Sequence, residues 1–287
     1  MVLDSSGFGI IGGDRRQLAL AESIAADGFR VLACGFENAE FTGQVQKADL
    51  QETTEVCDKL LLPLPVTADG RTLKAEFAQK QIPLNDTLAQ QLKGHMIFGG
   101  KVARALQACP QMADLQIRDY SVREDFAVRN AAVTAEGAIA YAMREYAGTI
   151  NGSRCLIAGA GRIGSQLAPR LRALGADVTA TYRRAVTAAH IEAMGCHALP
   201  VEKLAQGGSY EIIFNTVPAE IFTDSVLAAF ACGTLLIDLS SAPGGVDMVA
   251  AGKHGIRALH AFALPAKVAP RTAGEIIKQT VYQMMKE

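Results

Sequence analysis

Short apolar runs alternate along this chain with longer stretches of helical periodicity, and glycine, proline or polar residues mark most of the joins. In the first part, FGII (8–11) reads as a strand and residues 17–26 as a helix. VLACG (31–35), KLLLPLP (59–65), HMIF (95–98) and LQIRDY (115–120) follow as strands, with Pro63 and Pro65 ending theirs in a loop. A proline-free helical pattern then runs over 123–146 until Gly148 and Asn151-Gly152 stop it. After that stop the pattern restarts. RCLIAGAG (154–161) is a strand leading into a helix that continues to about residue 174, and DVTATY (177–182) is the next strand. EIIFNTVP (211–218), TLLIDLSS (234–241) and IRALHAF (256–262) supply three more before a closing helix over 272–285.

Strands that alternate with helices indicate parallel sheets with helical crossovers, here in two consecutive sets. The fold expected is α/β, with two Rossmann-like doubly wound domains of parallel sheet joined by a long helix. The expected boundaries are an N-terminal substrate or partner domain over 1–122, an inter-domain helix over 123–148 and a dinucleotide domain over 149–271. The closing helix, 272–287, is a candidate to pack back on the first domain.

Composition narrows the class of function. A chain of 287 residues with 49% apolar and 20% charged residues is of globular type. A formal charge of −1 and pI near 6.5 give no reason to expect nucleic acid or an anionic membrane as partner. The N-terminus has neither the basic region nor the apolar stretch of a signal peptide. The six cysteines are scattered without a C-x-x-C, which reads as reduced thiols in a cytoplasmic protein. His95, His190, His197 and His254 show no ligand spacing, so no metal is expected.

Gly159-Ala160-Gly161-Arg162-Ile163-Gly164 matches the dinucleotide fingerprint G-x-G-x-x-G, and it lies between an apolar strand and a helix, where that motif belongs. Its glycines would allow a tight turn, close approach to a pyrophosphate and close helix–strand packing. The same string at Gly7-Phe8-Gly9-Ile10-Ile11-Gly12 is a decoy, because there the two isoleucines are the strand itself. An NAD site usually carries an acid at the end of the second strand, for the ribose 2′-hydroxyl. Here DVTATY ends in Arg183-Arg184, two guanidiniums suited to a 2′-phosphate, so NADP is the expected cofactor.

In a doubly wound sheet, ligands lie beyond the C-terminal strand ends. Asn215-Thr216-Val217-Pro218 and Asp238 are therefore expected at the cofactor, and Ser240 and Ser241 at the substrate. His260, Lys267 and Arg271 follow the last strand, with His260 the best-placed general base and Asp14 the alternative. Gly12-Gly13-Asp14-Arg15-Arg16 sets two arginines at a helix N-terminus, where the dipole disfavours cations. Stability does not explain them, so Arg15 and Arg16 are expected to bind a small carboxylate beside free backbone N–H groups.

These motifs together resemble the family of dipicolinate synthase A subunits. The resemblance runs through GIIGGDRRQ, YSVREDFAVRNAAVTAEGAIAYAM, CLIAGAGRIG, DLSSAPGGVD and LPAKVAPRTAGEII, over essentially the whole chain. It implies NADP-linked oxidation of dihydrodipicolinate to pyridine-2,6-dicarboxylate in the mother cell during sporulation. It also implies a cleft between two domains and a flavoprotein-like partner, the B subunit. Arg15, Arg16, Lys267 and Arg271 would then meet the dicarboxylate from opposite sides of that cleft, and a homo-oligomer is compatible. Two other readings stand beside it. One is an NADP dehydrogenase of another small carboxylate, of shikimate or hydroxy-acid type. The other is a non-catalytic NADP-binding sensor or scaffold.

Overall fold

A computed structural model describes residues 7–241 and 243–287. It divides the chain into two compact units, Met1–Asn130 with Pro265–Glu287, and Ala131–Leu264. Each is built on one six-stranded parallel sheet.

In the first unit the strands are β1 (Gly7–Ile11), β2 (Val31–Cys34), β3 (Val45–Lys47), β4 (Cys57–Leu61), β5 (Met96–Gly99) and β6 (Arg118–Asp119), ordered β3-β2-β1-β4-β5-β6. Its helices are α1 (Arg15–Ala26), α2 (Leu50–Val56), α3 (Asp86–Leu92) and α4 (Ala103–Ala108). The long helix α5 (Glu124–Glu145) then carries the chain into the second unit. There the strands are β7 (Arg154–Ala158), β8 (Asp177–Tyr182), β9 (His197–Pro200), β10 (Ile212–Asn215), β11 (Leu235–Asp238) and β12 (Arg257–His260). Their order is β12-β11-β10-β7-β8-β9, with helices α6 (Arg162–Ala173), α7 (Ala185–Ala193), α8 (Asp224–Leu227) and α9 (Met248–Lys253). Counted within its own unit, each sheet has the order 3-2-1-4-5-6 of dinucleotide-binding folds. The chain closes with α10 (Leu264–Val268) and α11 (Pro270–Met284).

The apolar runs form central strands because both sheet faces are covered. In the second unit Cys155, Ile157, Ile212, Phe214, Leu235 and Ile237 enter one core, while Leu156, Ala158, Ile213 and Leu236 enter the core on the other face. Two strands escaped the sequence reading, β3 and β9. Both are short edge strands whose residues are half-buried or exposed, so no apolar run marks them. At 115–120, where a strand was expected, only Arg118–Asp119 pair with β5, and 3-10 turns take up the flanks.

The closing helix packs on α1 within the first unit. Lys278 reaches Asp27 at 2.9 Å, the Tyr282 hydroxyl donates to Asp27 at 3.0 Å, and the Tyr282 ring lies 6.0 Å from Phe8. These contacts belong to the same segment as residues 265–271. The first unit takes in residues from 265 onward, so Lys267 and Arg271 belong to the unit that holds Arg15 and Arg16.

Phe214 is fully buried at the centre of the second sheet, in register with Ile157 and Ile237. Phe214→Ala should therefore lower the unfolding free energy by about 3–5 kcal/mol, read as a fall in the urea midpoint. A loss below about 1 kcal/mol would contradict the tight packing described.

Candidate functional site

The second sheet changes winding direction between β7 and β10, the place where doubly wound folds bind their ligands. The turn Gly159-Ala160-Gly161 lies at this point, between β7 and α6. Gly159 has φ +96, and a Cβ on Gly164 would stand 2.0 Å from the Gly159 carbonyl oxygen, so α6 starts pressed against the strand end. Gly161 is the N-cap and supplies no side-chain cap, and a Cβ built on it would meet nothing within 4 Å. The first turn of α6 thus lacks a side-chain cap from Gly161 and carries the positive end of the helix dipole. Such a turn receives phosphate oxygens.

Two hydroxyls brace the loop. Gly159 N–H donates to Thr181 Oγ1 at 2.8 Å, and Thr216 Oγ1 is shared between the carbonyls of Ala158 and Gly159, each at 3.0 Å. Thr181 was not singled out from sequence, because nothing local marks a strand threonine as a partner for a distant turn. β8 pairs with β7 and ends at Tyr182, after which Arg183 and Arg184 are exposed. A helix N-terminus without a side-chain cap, with cations beyond the second strand, fits a nicotinamide dinucleotide. Arg162 is exposed at the mouth of the turn, and Ile163 packs on the core beneath it.

Beyond β10 and β11 several expected ligand contacts prove to be internal. Asn215 and Asp238 are both wholly buried. Asp238 Oδ1 accepts from Asn215 Nδ2 at 2.9 Å, Ser240 N–H at 3.0 Å and Ser240 Oγ at 2.7 Å, while Oδ2 accepts from Gly245 N–H at 2.9 Å. Ser240 is therefore corrected from a substrate contact to a buried support of Asp238. Asn215 and Asp238 likewise shape the loop rather than present themselves to a cofactor. Asn215 Oδ1 accepts from Val217 N–H at 3.1 Å and so holds the loop that exposes Pro218. Ser241 is exposed. His260 keeps 26% of its side chain exposed, with Nδ1 3.3 Å from Asp238 Oδ2.

The Gly12-Gly13 turn of the first unit occupies the equivalent place after β1, but its helix is capped. Asp14 Oδ1 accepts the Arg16 N–H at 2.9 Å, and Gln17 Oε1 accepts the Asp14 N–H at 3.0 Å, closing a capping box. The Arg16 guanidinium folds back to donate from Nε to Asp14 Oδ1 at 3.0 Å and from Nη2 to Asp14 Oδ2 at 2.7 Å and to the Leu64 carbonyl. Lys74 adds a second cation on Asp14 Oδ2, at 2.5 Å. The expectation of free N–H groups flanked by two arginines is thus corrected. Arg16 is buried and bonded internally, and Arg15 alone of the pair is exposed. Burial by itself would raise the Asp14 carboxyl, but hydrogen bonds and charge from Arg16 and Lys74 outweigh it and hold the group at about 2. A carboxylate buried and paired with two cations in this way is a poor proton acceptor near neutrality. Lys74 was missed because only the fold brings it to Asp14.

Comparison with known proteins agrees with this geometry. The family model described as the N-terminal domain of the dipicolinate synthase A subunit matches residues 7–121. That of the D-isomer specific 2-hydroxyacid dehydrogenase NAD binding domain matches residues 125–242. The dipicolinate synthase A subunit of Bacillus subtilis (strain 168) is 31% identical over 283 residues, covering 97% of this chain and 95% of that one. The crystal structure of the dipicolinate synthase A subunit from Bacillus halodurans superposes with a TM-score of 0.87 at 30% identity, covering 100% of both chains. The crystal structure of the Bacillus subtilis counterpart gives 0.84 at 29% identity, over 99% of this chain and 97% of that one.

The Asp14 cluster makes stability depend on acid. Its carboxyl lies below the ordinary 3.8 when folded, so its stabilisation is complete above that value and is lost as pH falls toward about 2. The loss should amount to about 2 kcal/mol and be visible in urea titrations across that interval. Asp14→Asn keeps a capping oxygen but strands the Arg16 charge. It should lower stability near neutrality by about 3–5 kcal/mol and flatten this part of the pH dependence. An unchanged acid limb in the variant would refute the assignment.

Proposed function

Because the chain belongs to the family of dipicolinate synthase A subunits, we propose that it oxidises dihydrodipicolinate to pyridine-2,6-dicarboxylate with NADP as hydride acceptor. The observation that carries the cofactor choice is the N-terminus of α6, without a side-chain cap, together with an exposed arginine pair, and no acid, at the end of β8. A 2′-phosphate gains charge-assisted hydrogen bonds from Arg183 and Arg184, whereas an acid placed there would repel it.

In this reaction a hydride leaves one ring carbon with both bonding electrons, a proton leaves the ring, and aromatisation supplies driving force. The bound nicotinamide ring supplies the acceptor for the hydride. The protein's part is to orient the dihydro ring, match the charge of its carboxylates and take the proton. His260 is the proposed proton acceptor, since it is partly exposed at the end of β12 and histidine suits proton transfer near neutral pH. Arg15, Lys267 and Arg271 are exposed cations of the first unit. The reading extends to a second subunit, supported by the designation of the relatives as A subunits, and to the flavoprotein-like nature of that partner and the sporulating mother cell that the family resemblance implies.

The test is to follow NADPH formation by the purified chain, with and without the partner protein. Dihydrodipicolinate would be generated from 4-hydroxytetrahydrodipicolinate, and NADP and NAD compared. Turnover with NADP is expected, and its absence under both conditions would refute the reaction. In the Arg183→Gln/Arg184→Gln variant, the NADP-over-NAD ratio of kcat/KM should fall by about 10–100-fold, as expected for charge-assisted contacts worth about 1.5–3 kcal/mol. A ratio that does not move would remove the NADP assignment.

A further inference from the structure

Four residues line up across the C-terminal edge of the second sheet. Ala158 is in register with Asn215, Asn215 with Asp238, and Asp238 with His260. The row starts at the dinucleotide turn and ends at an imidazole. Its centre is a carboxylate with no exposed surface, and four hydrogen bonds from neutral donors fix its plane. All four contacts donate to this carboxyl group, which serves as an acceptor only, and burying such a group among neutral donors is expensive in a protein core.

The side of Asp238 Oδ2 not taken by Gly245 faces His260. Nδ1 of that ring is buried, lacks a hydrogen bond of good geometry, and lies 3.3 Å from Oδ2. An ionised carboxylate offers only lone pairs, so an unprotonated Nδ1 would set lone pair against lone pair. A proton on Nδ1 turns the same contact into attraction. The ring is also held in plane, since Phe262 stacks on it at 4.7 Å and 15°. Gly244, at φ +107, passes so close that a Cβ there would lie 2.7 Å from His260 Cε1 and 2.8 Å from Asp238 Oδ2.

We infer that Asp238 is a positioning residue for His260: it holds the neutral ring as the Nδ1–H tautomer, leaves Nε2 as the proton acceptor, and stabilises the imidazolium once the proton arrives. The inference rests on the proposed oxidation of a small acid with His260 as base. The hydride carries its bonding pair to the oxidised dinucleotide, the ring proton passes to Nε2 while the pair of its broken bond stays in the aromatising ring, and the imidazolium later gives the proton to water. Asp238 remains ionised throughout. Asn215 bonds both Asp238 and the Val217 backbone, so the same side chain couples this base to the cofactor loop.

Nitrogen-15 NMR of the full chain labelled at its five histidines tests this directly, with His260→Asn used only to assign the His260 signal. Above the imidazole titration, His260 should show a pyrrole-type Nδ1 and a pyridine-type Nε2. The reverse pattern, or an even mixture, overturns the inference without any variant that must fold. In Asp238→Asn the tautomer signature should be lost, and kcat should fall by about 10²-fold or more while KM for NADP stays within about twofold. A raised KM with unchanged kcat would make Asp238 a cofactor support instead, and would overturn the inference. If the wild-type ring shows the expected tautomer but no dihydrodipicolinate is oxidised, the reaction assignment fails and the Asp238–His260 pairing stands.

Discussion

The N-terminus of α6 carries a positive dipole end and receives no side-chain cap from Gly161, and the functional architecture of the second unit depends on that arrangement. Most helix N-termini are satisfied by a neighbouring side chain. Here Gly161 occupies the cap, and the sheet places this end at its switch point. A ligand carrying phosphate supplies what the chain withholds. The first unit makes the opposite choice at the corresponding turn. Asp14 and Gln17 complete the cap from within, and Arg16 and Lys74 neutralise the carboxylate. Two sheets of the same order thus differ in whether a side chain already fills the anion position.

Much of this was legible in the sequence because burial on both faces writes continuous apolar strands. RCLIA, IIFN and LLID carried their own assignment, and the glycines after β7 gave the turn its meaning. The edge strands β3 and β9 were invisible for the converse reason: half-exposed residues need no apolar pattern. The decoy glycines were resolved by the same logic, since Gly7–Ile11 is wholly buried strand.

Site residues were harder to read than elements. Arg16 looked like a ligand contact because a cation at a helix start is unfavourable on dipole grounds alone. Its compensation comes from Asp14 beside it and from the Leu64 carbonyl, which only the fold brings near. Asn215 and Asp238 were expected at the cofactor and Ser240 at the substrate. Their side chains turn inward and bond to one another, so they act on a ligand through the shape and charge of what they hold. Position beyond a strand end locates a residue, but its hydrogen-bond partners decide what it does.

The bond from Gly159 N–H to Thr181 Oγ1 ties the glycine turn to the strand that leads into the arginine pair. Folding therefore sets the distance between two stations of the site before any nucleotide arrives. The spacing is written into a strand pairing rather than a flexible loop, so little of it is left to be ordered at the moment of association.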